Sequence, residues 1–399
     1  MTWSVGANDL ANIMSTALGS KAISARQAFI LAIIFEVAGA LLGGSHVART
    51  VQHGIINISA LHCPPEIIVY GMLAVLLSSA TWMALASFIG MPVSITNAII
   101  GALVGFGLLI LGVDAVHWRQ VSYIAISWIA CPIIAASLAY FLFFSMQRLI
   151  FNADSPEKSA RNYAPIYLFL VGFILAEMTV IKILMHFGYH IHLILNLIIG
   201  VVSGVMLILI TMPYFKKLKS KGDALHQQFA HIEKIFSLLM MFTACAMIYA
   251  HGSNDIATSV GPIAAIISLL HSGHSHLNGG LILSILALGS CGVLFGFVTY
   301  GKKVIATVGS GITVLTPSRA YCATIAAALT VVVSTSIGIP VSATQTLVGG
   351  IVGVGLARGI GALDLRVVRS IFASWLITVP IVAVFAVVYF NIIKSLFSI

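Results

Sequence analysis

Two short polar stretches interrupt an otherwise apolar chain with residues able to hold ions. Gly6-Ala7-Asn8-Asp9-Leu10-Ala11 and Gly252-Ser253-Asn254-Asp255-Ile256-Ala257 repeat one another at a constant offset of 246. Each sets a carboxylate beside an amide in a sequence whose charged residues make up only 8% of the total. Acids inside apolar segments are costly and as a rule functional. At a helix break, Asn8, Asp9, Asn254 and Asp255 would present carboxylate, amide and free backbone oxygens, which are hard ligands for Na⁺ or, at the acids, carriers of a proton.

A second repeated pair offers the opposite chemistry. Met91-Pro92-Val93-Ser94-Ile95-Thr96-Asn97 aligns with Ile339-Pro340-Val341-Ser342-Ala343-Thr344-Gln345 at an offset of 248, and Gly101, Gly105 and Gly107 fall on Gly349, Gly353 and Gly355. Asp9 precedes Ser94 by 85 residues and Asp255 precedes Ser342 by 87, so each half keeps the spacing between its two motifs. Taken singly, such hydroxyls cap helices or bond across a bundle. Repeated after a proline, Ser94, Thr96 and Asn97 and their counterparts Ser342, Thr344 and Gln345 read as neutral donor clusters at half-helix starts, where the dipole favours an anion. Two such starts facing one another would hold a small multivalent oxyanion without arginine. Cation ligands beside an anion site make a symporter.

The elements that must position these groups are membrane helices. The chain is 60% hydrophobic with a mean hydropathy of +1.08, and residues 67–113 and 321–357 run for 47 and 37 positions without a charged side chain. As one straight helix the first run would be about 70 Å long, more than twice the bilayer's hydrocarbon core of about 30 Å. Proline removes an N–H and disfavours helix in the residue before it, so Gly90-Met91-Pro92 and Gly338-Ile339-Pro340 are the expected breaks. The short pieces beside each break, 322–337 and 346–356 in the second half, suit half-helices or re-entrant hairpins whose free backbone groups face protein or water. Interrupted segments at matched positions of two halves point to a transporter's binding site.

The chain therefore reads as an all-α polytopic membrane protein with about twelve helices and half-helices in two repeats, inverted if each repeat makes an odd number of crossings. The expected divisions are a first repeat over 1–146, polar cytoplasmic segments with two connecting spans over 147–234, and a second repeat over 235–399. A full apolar run, 235–250, precedes the second Asn-Asp motif and only five residues precede the first, so a missing half-helix at the N-terminus is expected. The net charge of +9 sits in short loops such as Lys216, Lys217, Lys219 and Lys221, which marks the cytoplasmic side rather than a nucleic-acid surface. The five cysteines show no CxxC pair and imply no disulfide.

Further polar residues divide into coupling candidates and structural ones. Glu36 stands alone in the apolar run 29–44; it aligns with Gly289 and so breaks the symmetry between halves, which makes it a coupling candidate, with a hydrogen-bonded structural acid as the alternative. His251 precedes Asp255 by four and either titrates or packs at the break. Glu177 and Lys182 share one span and read as a structural polar contact. The histidines at 186, 190 and 192 and at 271, 274 and 276 lack the cysteines or the HExxH pattern of a metal site and read as loop residues. No metal beyond Na⁺ and no cofactor is expected.

In Gly6-Ala7-Asn8-Asp9, Gly252-Ser253-Asn254-Asp255, Pro92-Val93-Ser94-Ile95-Thr96 and Pro340-Val341-Ser342-Ala343-Thr344, taken in that arrangement over nearly the entire length, the chain resembles the PiT family of inorganic phosphate transporters. The resemblance implies phosphate import coupled to Na⁺ or H⁺, an inverted repeat, a homodimer, and a place in a bacterial-type inner (plasma) membrane. By position it assigns Asn8, Asp9, Asn254 and Asp255 to cation coordination and Ser94, Thr96, Asn97, Ser342, Thr344 and Gln345 to the anion. Where many relatives read P-V-S-T-T-H, this chain has Ser-Ile-Thr-Asn and Ser-Ala-Thr-Gln. The nearest rival function is a permease for sulfate or another tetrahedral oxyanion. Phosphate carries a proton to donate at neutral pH and sulfate does not, so an acid acceptor in the pocket favours phosphate. An intramembrane hydrolase would need a nucleophile with its base, and the polar motifs hold no GxSxG or HExxH. A passive channel has less use for two buried acids facing two donor clusters.

Overall fold

In the computed structural model the described residues are 1–56, 64–177, 184, 192–217, 225–272, 279–336 and 341–397. Among them are twelve helical elements, and eight helices are long and apolar enough to cross a membrane. Helices α1 (2–19), α2 (Ala25–Gly54), α3 (Pro65–Ile89), α4 (Ile95–Phe106, extended by a π-helical turn at Gly107–Leu111) and α5 (Trp118–Met146) make up one set. Helices α8 (225–272), α9 (Gly279–Tyr300, continued to 311), α10 (Pro317–Ser336), α11 (Ala343–Ala357) and α12 (Leu365–Leu396) make up the other. Between the sets, α6 (Pro156–Leu175) and α7 (Leu193–Lys217) pack on one another, closely enough that a Cβ on Gly172 would lie 2.8 Å from Gly204 Cα. The second proline break, and residues Cys63, Lys182, His186, His190, Lys219, Lys221, His274 and His276, lie outside the described residues.

Local chemistry explains where the key elements begin and end. Gly90 ends α3 in the left-handed conformation at φ 79°, which a residue with a Cβ rarely adopts. Residues 91–94 have no helical structure, and Ser94 then caps α4. The prolines at 132, 165, 213, 262 and 380 lie inside helices, as bundle helices tolerate where neighbours satisfy the freed groups. Of the pieces beside the breaks, α4 and α11 are short as expected, whereas α3 and α10 have 25 and 20 residues, enough for a full span.

The two hairpins return to the face they leave. His117 N–H donates to Ile55 O at 3.0 Å, which closes the first hairpin, and Asp364 N–H donates to Ile312 O at 3.0 Å, which closes the second. Each repeat thus makes three crossings besides its hairpin, and the second begins on the face opposite to the first. This is the inverted arrangement. Among the described residues, the connections at one end and the helix turns beside them hold 14 of 17 Lys and Arg residues, which marks that end as cytoplasmic. The first hairpin opens away from the cytoplasm and the second opens toward it.

The repeats are interleaved rather than set side by side. Helix α4 packs on α12 and α11 packs on α5. Small residues make these contacts close: a Cβ on Gly105 would lie 2.5 Å from Ala383 Cα, and one on Gly353 would collide with the Ala136 carbonyl oxygen. In the same crossed manner α1 lies against α9 and α2 against the middle of α8. Replacing Gly353 by Ala is expected to destabilise the folded protein by about 1–3 kcal/mol through overpacking on backbone. Gly361→Ala, where no atom lies within 4 Å, should leave the thermal midpoint of detergent-purified protein unchanged.

Candidate functional site

The two Asn-Asp motifs do not break their helices. Each forms a five-residue π-helical turn, Gly6–Leu10 and Gly252–Ile256, with right-handed helical residues on both sides. This corrects the expected break. A π turn inserts one residue into a helix and is common at functional sites. Here it turns the whole motif inward: all five residues of each turn are buried. The leading glycines admit a neighbouring helix, since a Cβ on Gly6 would strike the Val293 carbonyl and one on Gly252 would strike that of Glu36.

Each asparagine fastens the hairpin of its own repeat. Asn8 Nδ2 donates to Met91 O at 2.9 Å and to Ser87 Oγ at 3.1 Å, while Asn8 Oδ1 accepts the Val93 N–H at 2.9 Å. Asn254 Nδ2 donates to Val341 O at 3.1 Å and to Asp255 Oδ1 at 2.8 Å, which leaves Asn254 Oδ1 without a hydrogen-bond partner. Both asparagines are thus backbone clamps. The unengaged oxygen on Asn254 is the freer candidate ligand.

The aspartates link the repeats. Asp9 Oδ1 accepts a short hydrogen bond from Thr344 Oγ1 in the first turn of α11, and the Ile95 amide at the start of α4 lies nearby. One carboxylate therefore sits between the two half-helix starts. Its second oxygen, Asp9 Oδ2, has no hydrogen-bond partner, and Asp255 and His251 lie within its electrostatic reach. Asp255 Oδ2 is 3.5 Å from His251 Nε2, and His251 Nδ1 is 2.6 Å from Glu36 Oε1. Glu36, His251, Asp255 and Asp9 are each at most 1% exposed. Among the described residues no lysine or arginine pairs with any of these carboxyl groups. Three buried carboxyl groups and one imidazole, with no basic side chain beside them, are tolerated only if protons or a bound cation answer their charge.

Ser94, Thr96 and Asn97 stand at the start of α4 and Ser342, Thr344 and Gln345 at the start of α11, the two starts that Asp9 meets through the Ile95 amide and Thr344. Ser94 Oγ accepts from Asn97 N at 3.3 Å and Ser342 Oγ accepts from Gln345 N at 3.1 Å, so both serines act as helix caps, the alternative that their sequence context left open. Thr96 Oγ1, Asn97 Oδ1 and Gln345 Oε1 are buried without hydrogen-bond partners. All six residues are at most 4% exposed.

The contacts change one alignment and add residues. Gly39 faces Tyr249 O and Gly296 faces Trp3 O, while the Glu36 and Val293 carbonyls face the glycines of the two π turns. Glu36 therefore corresponds to Val293 and not to Gly289; Asp9 precedes Glu36 by 27 residues and Asp255 precedes Val293 by 38, chiefly because the helix after the second motif is longer, which misled the alignment by sequence. His251 likewise corresponds to Val5, so the Glu36–His251 pair beside Asp255 is replaced by two valines beside Asp9. Asn12 was not singled out from sequence. Its Nδ2 donates to Thr344 O at 3.3 Å, its Oδ1 is free of partners, and its counterpart Thr258 gives no repeat signal. Glu177 accepts a hydrogen bond from Asn196 at 3.2 Å, remote from these residues in the chain and in contacts.

Comparison with known proteins agrees with this geometry. The sequence profile of the phosphate transporter family matches residues 5–386. A Haemophilus influenzae protein named as a phosphate permease is 44% identical over 399 residues, covering 100% of this chain and 95% of the relative. An Arabidopsis thaliana protein named inorganic phosphate transporter 2-1, chloroplastic, is 35% identical over 420 residues, covering 100% of this chain and 71% of the relative. A solved structure described as the sodium-dependent phosphate transporter superposes with a TM-score of 0.88 at 32% identity, covering 99% of this chain and 96% of that one.

The clamping role of Asn8 can be measured. Asn8→Ala leaves the Val93 N–H and the Met91 carbonyl buried without partners and is expected to lower stability by on the order of 2–4 kcal/mol. Asn254→Ala removes a single bond to the hairpin backbone and should cost less. Thermal unfolding of the two variants in one detergent compares them directly, and equal losses would contradict the assignment.

Proposed function

The chain belongs to the phosphate transporter family, whose members are transporters and not enzymes, and on that premise we propose that it is a secondary active symporter importing inorganic phosphate with Na⁺. It is a multi-pass integral membrane protein, and the proposed setting is the bacterial plasma membrane with a homodimer as the working unit. In this reading Asp9, Asp255 and the free oxygen of Asn254, with Asn8 holding the hairpin, take the cations. Ser94, Thr96, Asn97, Ser342, Thr344 and Gln345, through side chains and the first-turn amides of α4 and α11, take the anion.

The observation that carries the proposal is the unbalanced carboxylate at the meeting of two helix starts. An oxyanion entering between α4 and α11 comes up against Asp9. At an effective dielectric near 20, two like unit charges about 5 Å apart repel by roughly 3 kcal/mol, about a hundredfold in affinity. A Na⁺ on the free oxygens removes that repulsion, and the arriving anion in turn stabilises the cation. Each ligand therefore binds well only with the other, which is the thermodynamic requirement for symport. Na⁺ is preferred over H⁺ because the solved relative is described as sodium-dependent. Glu36, hydrogen-bonded to His251 and through it adjacent to Asp255, is proposed to tune coupling at one cation site only.

Uptake of labelled phosphate into proteoliposomes, under an imposed Na⁺ gradient, an imposed proton gradient or neither, tests the reading. Uptake driven by Na⁺ and resistant to excess sulfate is expected; uptake driven by protons alone would replace the ion, and loss to sulfate competition would replace the substrate. Asp255→Asn is expected to abolish gradient-driven uptake while the purified protein remains monodisperse. Undiminished coupled uptake by that variant would sink the assignment of the cation site.

A further inference from the structure

Residues 91–94 connect α3 to α4; the Met91 N–H closes α3 on Ala86 O and Ser94 O accepts the first bond of α4 from Ala98 N–H, and the backbone groups between them must be met by side chains inside the bundle. Asn8 meets Met91 O and the Val93 N–H. The Pro92 carbonyl is met from the other repeat: Trp375 Nε1 on α12 donates to it at 3.3 Å, and Ser374 Oγ lies at the same distance, its one proton shared with Ile371 O of its own helix at 2.7 Å. Both donors are only 5% exposed. Two residues further on, Ser94 caps α4, whose first turn carries Thr96 and Asn97. From this geometry we propose that Ser374 and Trp375 are positioning residues of the anion site. By holding the Pro92 carbonyl they set the direction in which α4 presents its first-turn amides and side chains. The proposal rests on the phosphate-symport reading.

The chain supplies its own control. Ser-Trp occurs at 127–128 and again at 374–375, an offset of 247 that places the first pair on α5 where the second stands on α12. The tryptophans of the two pairs make different bonds. Both serines donate to their own helices, Ser127 to Ile124 O at 2.6 Å and Ser374 to Ile371 O at 2.7 Å, but Trp128 Nε1 has no hydrogen-bond partner among the described residues. Matched tryptophans in matched places thus differ in whether the indole N–H holds a hairpin carbonyl. Substitution by Phe keeps most of the ring and removes only that donor.

The test is the concentration dependence of Na⁺-driven phosphate uptake in proteoliposomes for wild type, Trp375→Phe, Ser374→Ala, the double variant and Trp128→Phe, with rates normalised to monodisperse protein. Trp375→Phe should raise KM for phosphate about threefold to tenfold, the range that follows from losing one buried hydrogen bond, and Ser374→Ala, which removes only a shared contact, about twofold. The double variant should raise it further, with Vmax within about twofold of wild type, and Trp128→Phe should leave KM unchanged. If Trp375→Phe fails to fold, Ser374→Ala carries the same comparison. An unchanged KM in Ser374→Ala or in the double variant, a fall in Vmax alone, or an equal rise in Trp128→Phe would overturn the proposal. A wild type silent toward phosphate would overturn the symport reading and this inference with it, and is distinguishable because it appears before any substitution is made.

Discussion

Asp9 accepts a hydrogen bond from Thr344, and the start of α4 lies against it, so one unbalanced carboxylate joins elements that are more than 300 residues apart in sequence. In a low-dielectric interior such a group is tolerated only when its surroundings are fixed and its charge is answered. The rest of the structure meets the first condition and leaves the second to a solute. Two half-helix starts can converge on Asp9 only if the spans containing them are interrupted, which is why α3 and α10 stop short of α4 and α11. An interruption in a membrane interior exposes backbone polar groups, and these are met in turn by Asn8, Asn254, Ser374 and Trp375. Broken helices, π turns and clamping side chains are thus parts of one solution.

The two halves share a scaffold and differ in chemistry. Equivalent glycines bring α9 to the turn of α1 and α2 to the turn of α8, while the pair standing beside the aspartate is Val5 and Val293 in one half and His251 and Glu36 in the other. Both valines are fully buried, so this place in the first half is dry and uncharged. The second half has a proton-bearing ring bonded to an acid in the same place. In the proposed reading, the two cation positions of this near-symmetric fold need not bind with the same strength or in the same order.

Much of this was legible in the sequence because polar residues are conspicuous in apolar runs and because the chain repeats itself. Pro92 does mark a break, and Asp9 does meet the two half-helix starts that carry the donor residues. What was not legible depends on long-range contact or on backbone detail. The Glu36–His251 pair spans 215 residues, and each member alone resembles a structural polar group. The Asn-Asp pairs read from sequence as standing at a break, whereas each lies in a continuous π turn whose leading glycine allows close helix packing. The Ser-Trp repeat was present at an offset of 247, yet tryptophan in a membrane helix is ordinary until its N–H is seen to hold a carbonyl. Asn12 gave no signal at all, because its counterpart is Thr258.

The crossed packing of hairpins on closing helices also dictates a history for each new molecule. Gly105 on α4 finds its partner at Ala383, and Gly101 finds its partner at Val379 and Val382. At translation rates of about 5–20 residues per second, the ribosome needs roughly 15–60 s to make the segment that separates them. For that interval the first hairpin is in the membrane with its tight, small-residue face uncovered and the Pro92 carbonyl unmet. Neither half is an independent folding unit, and assembly of the first must wait on synthesis of the last helix, a vulnerable period in which insertion machinery or lipid has to occupy the place later taken by α12.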